Sequence, residues 1–178
     1  MSADPAVFES MKSFLKFGDD DARHLASLRP LFEAHGGAIT DTFYERLGAV
    51  ETTAKLIEGR VDHLKGTHRR WMLELFDGQY GQAYFENRLR IGMAHVRIGL
   101  EPWWVEGVMS FLRTASAEAI AAAEPDAAKA AVLHGSLCKL LDLDLLVINM
   151  AYAEERLDRL TRFTGMSRKL IERCIVKG

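Results

Sequence analysis

Apolar positions recur along nearly the whole chain at three- and four-residue intervals, and no stretch alternates convincingly as a strand. Phe8, Met11 and Leu15 share one face of "AVFESMKSFLKF", behind an Asp4-Pro5 pair suited to an N-cap and a first helical position. "DDDARHLASLRPLFEAHGG" has acids at its front and glycines at its back, which predicts a helix kinked or broken at Pro30. "AITDTFYERLGA" reads as a separate short helix ending near Gly48, and "TAKLIEG" as a turn or two. In "RVDHLKGTHRRWMLELFDG", Leu64, His68, Trp71 and Leu75 fall on one continuous stripe. "YGQAYFENRLRIGMAHVRIG" sets Tyr84, Ile91, His95 and Ile98 on a second. Pro102 opens the next helix, and Pro125 with Asp126 opens a last long one running to Phe163 or beyond. The pattern predicts an all-α chain of seven or eight helices.

Composition narrows the class. The 178 residues suit one domain with a sizeable core. A net charge of −2 and basic residues scattered beside acids give no nucleic-acid signal. "MSADPAVFES" lacks the regions of a signal peptide, and the most apolar run, "LLDLDLLVINMAYA", is interrupted by Asp142 and Asp144 and too short to span a bilayer. Cys138 and Cys174 are isolated thiols, which suits a reducing cytoplasm, and no Cys-x-x-Cys-His offers covalent haem attachment. The expectation is a soluble, cytoplasmic protein with no membrane segment in this chain.

Six histidines carry the candidate chemistry. His24, His35 and His134 lie among polar or small residues and read as surface or capping groups. His63 and His68 are five apart, which does not align two ligands on one helical face, and neither H-E-x-x-H nor Glu-x-x-His pairing occurs. His95 is flanked at i−4 and i+3 by Ile91 and Ile98, with Gly92 and Gly99 at i−3 and i+4. Glycine inside a helix is costly, so it has a packing reason. One reason is a planar macrocycle against the backbone with the imidazole on its metal; the other is a buried histidine satisfied by a carbonyl, with a neighbouring helix crossing closely. His68 either forms the second wall of a slot or caps the core edge and faces water. Tyr44 is either a donor to an iron-bound ligand or a core-edge tyrosine.

"FYERL" followed by "HRRWMLELFDGQYGQAYFENRLRIGMAHVRIGLEPWW" resembles the sensor globins, the haem domains of globin-coupled sensors, and the likeness extends over roughly residues 5 to 163. The resemblance implies a globin three-on-three sandwich with an extra N-terminal helix and no D helix, holding non-covalent haem b. It makes His95 the proximal iron ligand and Tyr44 the distal tyrosine that hydrogen-bonds oxygen, with Leu64, Thr67 and His68 on the distal helix. His68 departs from the pattern of many relatives. Either it is a sixth ligand, so that O2, CO or NO must displace it, or it swings aside and Tyr44 governs oxygen binding. Phe43, Ile57, Trp71, Met93, Ile98, Val108 and Ile148 are candidate walls of the haem pocket, and Lys65, Arg69 and Arg97 candidate donors to its propionates.

"LHGSLCKLLDLDLLVINMAYAEERLDRL" is apolar nearly all round, as a helix buried on more than one side must be. The resemblance implies that one side meets a partner subunit, in a C2 homodimer built on the last two helices with Leu143 and Val147 at its interface. Residues 1–163 would form the sensor domain and 164–178 the start of a connector to a C-terminal transmitter domain or partner protein. No phosphate-binding loop, transmitter histidine box or GG-acidic signature occurs in these residues. The expected function is a haem-based gas or redox sensor that is not itself an enzyme. The alternatives are a nitric oxide dioxygenase using an external reductase and a haem-free helical regulator.

Overall fold

The computed structural model describes residues 4–177. Among them are eight helices and no strand: α1 (Pro5–Phe14), α2 (Asp19–Gly48), α3 (Glu51–Ile57), α4 (Val61–Glu74), α5 (Gln82–Arg97), α6 (Pro102–Ala123), α7 (Ala127–Thr164) and α8 (Arg168–Lys177). The helix starts follow local chemistry. Asp4 accepts from the Ala6 amide at 2.9 Å, Asp126 accepts from Ala128 and Lys129 at 2.9 and 3.2 Å, and prolines occupy the first turns of α1 and α6.

Helix α2 corrects the expectation of two helices parted at Gly36-Gly37, the first kinked or broken at Pro30. It runs unbroken through that residue. Pro30 and Ala26 are both exposed, so the Ala26 carbonyl that loses its helical partner faces solvent. The Gly36-Gly37 pair does not end the helix either. A Cβ at Gly36 would lie 3.0 Å from the Met72 sulfur, and one at Gly37 3.9 Å from the Arg69 guanidinium. Both glycines serve the crossing of α4 over α2.

Helix α7 is the axis of the molecule, packed on by α1, α2, α5, α6 and α8, while α2 carries α3, α4 and α6. The all-round apolar middle of α7 is therefore satisfied inside the chain. Leu143 and Val147 are 0% exposed and cannot face a partner subunit. The exposed apolar residue on the first half of α7 is Val132, at 51%.

Helix α4 lies along α2 and α5 along α7, and α4 meets α5 through side chains, with Arg88 reaching Glu74 at 2.7 Å. At its far end α7 stops at Thr164, with Gly165 in the left-handed region at φ 68°. The following α8 turns back onto α7, burying Ile171 and pairing Arg168 with Glu154 at 2.9 Å. The residues expected to open a connector are thus docked on the domain.

Candidate functional site

His68 stands on α4, facing α2. Its ring is 4.8 Å from Phe43, 6.1 Å from Tyr44 and 5.3 Å from Trp71, so three aromatic rings enclose it. Its Nδ1 lies 3.0 Å from the Thr40 hydroxyl oxygen, and its Nε2 is buried with no hydrogen-bond partner among the described residues. Burial, helped by the neighbouring Arg69 charge, lowers the His68 pKa to about 4, so the ring is neutral at pH 7. Tyr44 is 9% exposed, and burial pushes its phenol up to about 12, which keeps the hydroxyl a donor.

His95 stands in the last turn of α5, and its Nδ1 is also buried without a partner. Burial lowers its pKa as well. The end of α5 is held firmly. The Gly99 amide donates to the Val96 carbonyl and the Leu100 amide to the His95 carbonyl, both at 3.1 Å, the bond pair of a Schellman motif. Gly99 takes φ 71°, and the Tyr152 hydroxyl of α7 donates to the Leu100 carbonyl at 2.6 Å. This settles what the glycines around His95 do. Gly99 ends the helix. A Cβ on Gly92 would lie 2.7 Å from the Ala151 Cβ and 3.0 Å from the Ile148 Cα, so Gly92 lets α7 cross α5 and does not seat a macrocycle.

Behind Trp71 lies a buried polar cluster that joins α4, α5 and α7. The Asp144 carboxyl, 0% exposed, accepts from the Tyr84 hydroxyl at 2.5 Å and the Trp71 indole at 3.2 Å, and lies 2.9 Å from Arg88 Nε. Arg88, also 0% exposed, reaches Glu74 at 2.7 Å and lies 4.2 Å above the Tyr84 ring. Burial pushes the Asp144 pKa up against the opposing pull of Arg88, Tyr84 and Trp71. Both of its oxygens nevertheless face donors, and the group is a carboxylate paired with a guanidinium.

The remaining sequence candidates divide. Phe43 joins His68, and Leu64, Met93, Ile57 and Val108 are half-buried. Ile148 belongs to the α5–α7 crossing. Thr67 is exposed and donates to the His63 carbonyl at 3.1 Å, and Arg97 and Ile98 are exposed. Lys65 and Arg69 both hold Asp41, at 2.8 and 2.9 Å. His35 is exposed, whereas His24 and His134 are half-buried and bonded to Ser136 and the Arg113 carbonyl. The parts played by Thr40 and Arg88 escape a reading of the sequence; Tyr84 showed only as a stripe position and Asp144 only as a charge inside the apolar run.

Residues 4–158 match the model of the Protoglobin family, and the chain belongs to that family. It is 32% identical to the globin domain of a Geobacter sulfurreducens globin-coupled sensor, with a TM-score of 0.77 over 81% of this chain and 96% of that one. It is also 38% identical over 93 residues to the heme-based aerotactic transducer HemAT of Halobacterium salinarum. That match takes in 51% of this chain and 19% of the transducer, so the chain spans less than two thirds of that relative. The fold is a globin fold, with α1 as an extra N-terminal helix and the short α3 alone between α2 and α4. No helix among the described residues is long and apolar enough to cross a membrane.

Proposed function

We propose that the chain is a haem-based gas-sensor domain in which His95 and His68 would hold the haem iron. The observation that carries this reading is the pair of buried imidazoles, His68 on α4 and His95 on α5, each with a ring nitrogen lacking a partner among the described residues. A buried polar atom without a partner is costly, and a metal bound at the bare Nε2 of His68 would remove that cost there. The names of the two relatives agree with haem and with signalling. Haem b, bound without covalent attachment, supplies an iron able to bind O2, CO or NO reversibly.

The protein's own residues then set the response. His95, on a helix end fixed by the Gly99 cap and by Tyr152, provides the stationary attachment. His68 would compete with the gas for the iron, so apparent affinity would be the intrinsic affinity multiplied by the fraction of molecules in which it is withdrawn. Tyr44, protonated and edge-on to His68 at 85°, supplies a donor to the same space once His68 moves. Lys65 and Arg69, now paired with Asp41, would be the cations offered to the propionates.

The visible spectrum tests this reading. The reduced protein should show two sharp bands, collapsing to one broad band in His68→Ala. A broad band in both would leave His68 off the iron and Tyr44 in control. No Soret band, even with added hemin, would sink the haem assignment.

Residues 1–163 form the sensing unit in this reading, and 164–178 begin a connector that passes the signal to a transmitter domain or partner protein. A C2 homodimer through α6 and α7 fits the exposure of Val132 beside Ala128, Ala131 and Gly135. Val132→Glu should shift the sedimenting species from dimer towards monomer at micromolar concentration. An unchanged dimer would place the interface elsewhere.

A further inference from the structure

Thr40 is wholly buried on α2, one turn before Tyr44, and its hydroxyl has a single proton to give. That hydroxyl lies 2.9 Å from the Gly36 carbonyl oxygen, which can only accept, and 3.0 Å from His68 Nδ1, which can donate or accept. With its proton given to Gly36, the Thr40 oxygen accepts from His68 Nδ1, and a neutral imidazole then holds its one ring proton there. Nε2 is left with a bare lone pair, in an interior where nothing among the described residues meets it.

We infer that Thr40 is a positioning residue that fixes His68 in its Nδ1–H tautomer, presenting the Nε2 lone pair for ligation. The chain of bonds runs from the Gly36 carbonyl through the Thr40 hydroxyl to the His68 ring, all within the α2–α4 crossing. The inference rests on the proposed ligation for its purpose, but the tautomer itself can be read without it. The same contact limits how the ring rotates, so Thr40 sets both which nitrogen is bare and where it points.

The test uses the haem-loaded protein in its ferrous carbon monoxide complex, which is diamagnetic and leaves His68 off the iron. Nitrogen-15 NMR of the His68 ring should show a protonated Nδ1 and a bare Nε2 in the wild type and in Thr40→Ser. Thr40→Val should lose that preference and show Nε2–H signal. In the reduced protein without carbon monoxide, Thr40→Val should also lose the sharp-banded fraction and bind carbon monoxide on the order of 10-fold faster, the scale of losing an outer-shell partner. Thr40→Ser should restore the wild-type values.

A wild-type ring protonated at Nε2 would overturn the inference, even if Thr40→Val failed to fold. So would a Thr40→Val ring that kept Nδ1–H. If His68→Ala left the reduced spectrum unchanged while Thr40→Val lost the tautomer, Thr40 would stand as the tautomer-setting group and the ligation reading alone would fall.

Discussion

His95→Ala should yield a folded chain whose Soret absorbance per protein is lower by at least about 10-fold, since losing even an outer-shell partner of a metal ligand costs roughly 10–100-fold. His95, the proposed attachment, sits on a rigid helix end. Its carbonyl is taken up in the helix cap, the next turn is tied to Tyr152, and the helix bearing it is pressed onto α7 at Gly92. His68, ringed by Phe43, Tyr44 and Trp71 on a different helix, has no equivalent anchorage of its backbone to α7 and cannot replace it alone. Free imidazole added to the variant should restore absorbance by filling the space of the missing ring. Stoichiometric haem with a wild-type spectrum in His95→Ala would move the attachment to another residue. Pyridine haemochrome titration of the purified variant decides between these results.

The second large effect belongs to the buried ion pair. Asp144→Ala removes the carboxylate that Arg88, Tyr84 and Trp71 all address, and leaves a guanidinium in the core with Glu74 as its remaining carboxylate. Breaking a buried pair from one side costs about 3–5 kcal/mol. For a chain of this size that lowers the melting temperature by roughly 6–20 °C. Removing both charges, as in Arg88→Met with Asp144→Leu, should recover most of the loss, because no uncompensated charge remains. Thermal melts followed by circular dichroism read both variants against the wild type. An Asp144→Ala melt within about 2 °C of the wild type would mean that the pair carries no such weight.

The stripe Leu64, His68, Trp71, Leu75 was legible because a helical period projects directly onto one face. The starts at Pro5, Pro102 and Asp126 were legible because caps act within three residues. The separation of α2 into two helices was misread, since Pro30 and Gly36-Gly37 carry the same letters whether they break a helix or serve it. Only the crossing by Met72 and Arg69 tells which. Gly92 was ambiguous for the same reason. Leu143 and Val147 were assigned to a partner surface because an all-round apolar helix states that it is buried but not by what. The Asp144 cluster was out of reach: Trp71 and Tyr84 lie 73 and 60 residues away, and no local rule pairs them. Thr40 gave no sign beyond its one-turn spacing from Tyr44, because its significance lies in where one proton points.

The close contact of Gly92 with Ile148 and Ala151 also makes α7 a lever with a hard fulcrum. No side chain of α5 intervenes there to absorb a displacement. Of the 38 residues of α7, those before Ile148 form an arm of about 33 Å and those after Ala151 one of about 20 Å at helical rise. A rocking of about 5° would carry the long arm's tip, beyond Val132, through roughly 3 Å, and the short arm's tip, where α8 begins, through roughly 2 Å the opposite way. The two ends of this beam therefore report one motion with opposite sign and unequal amplitude.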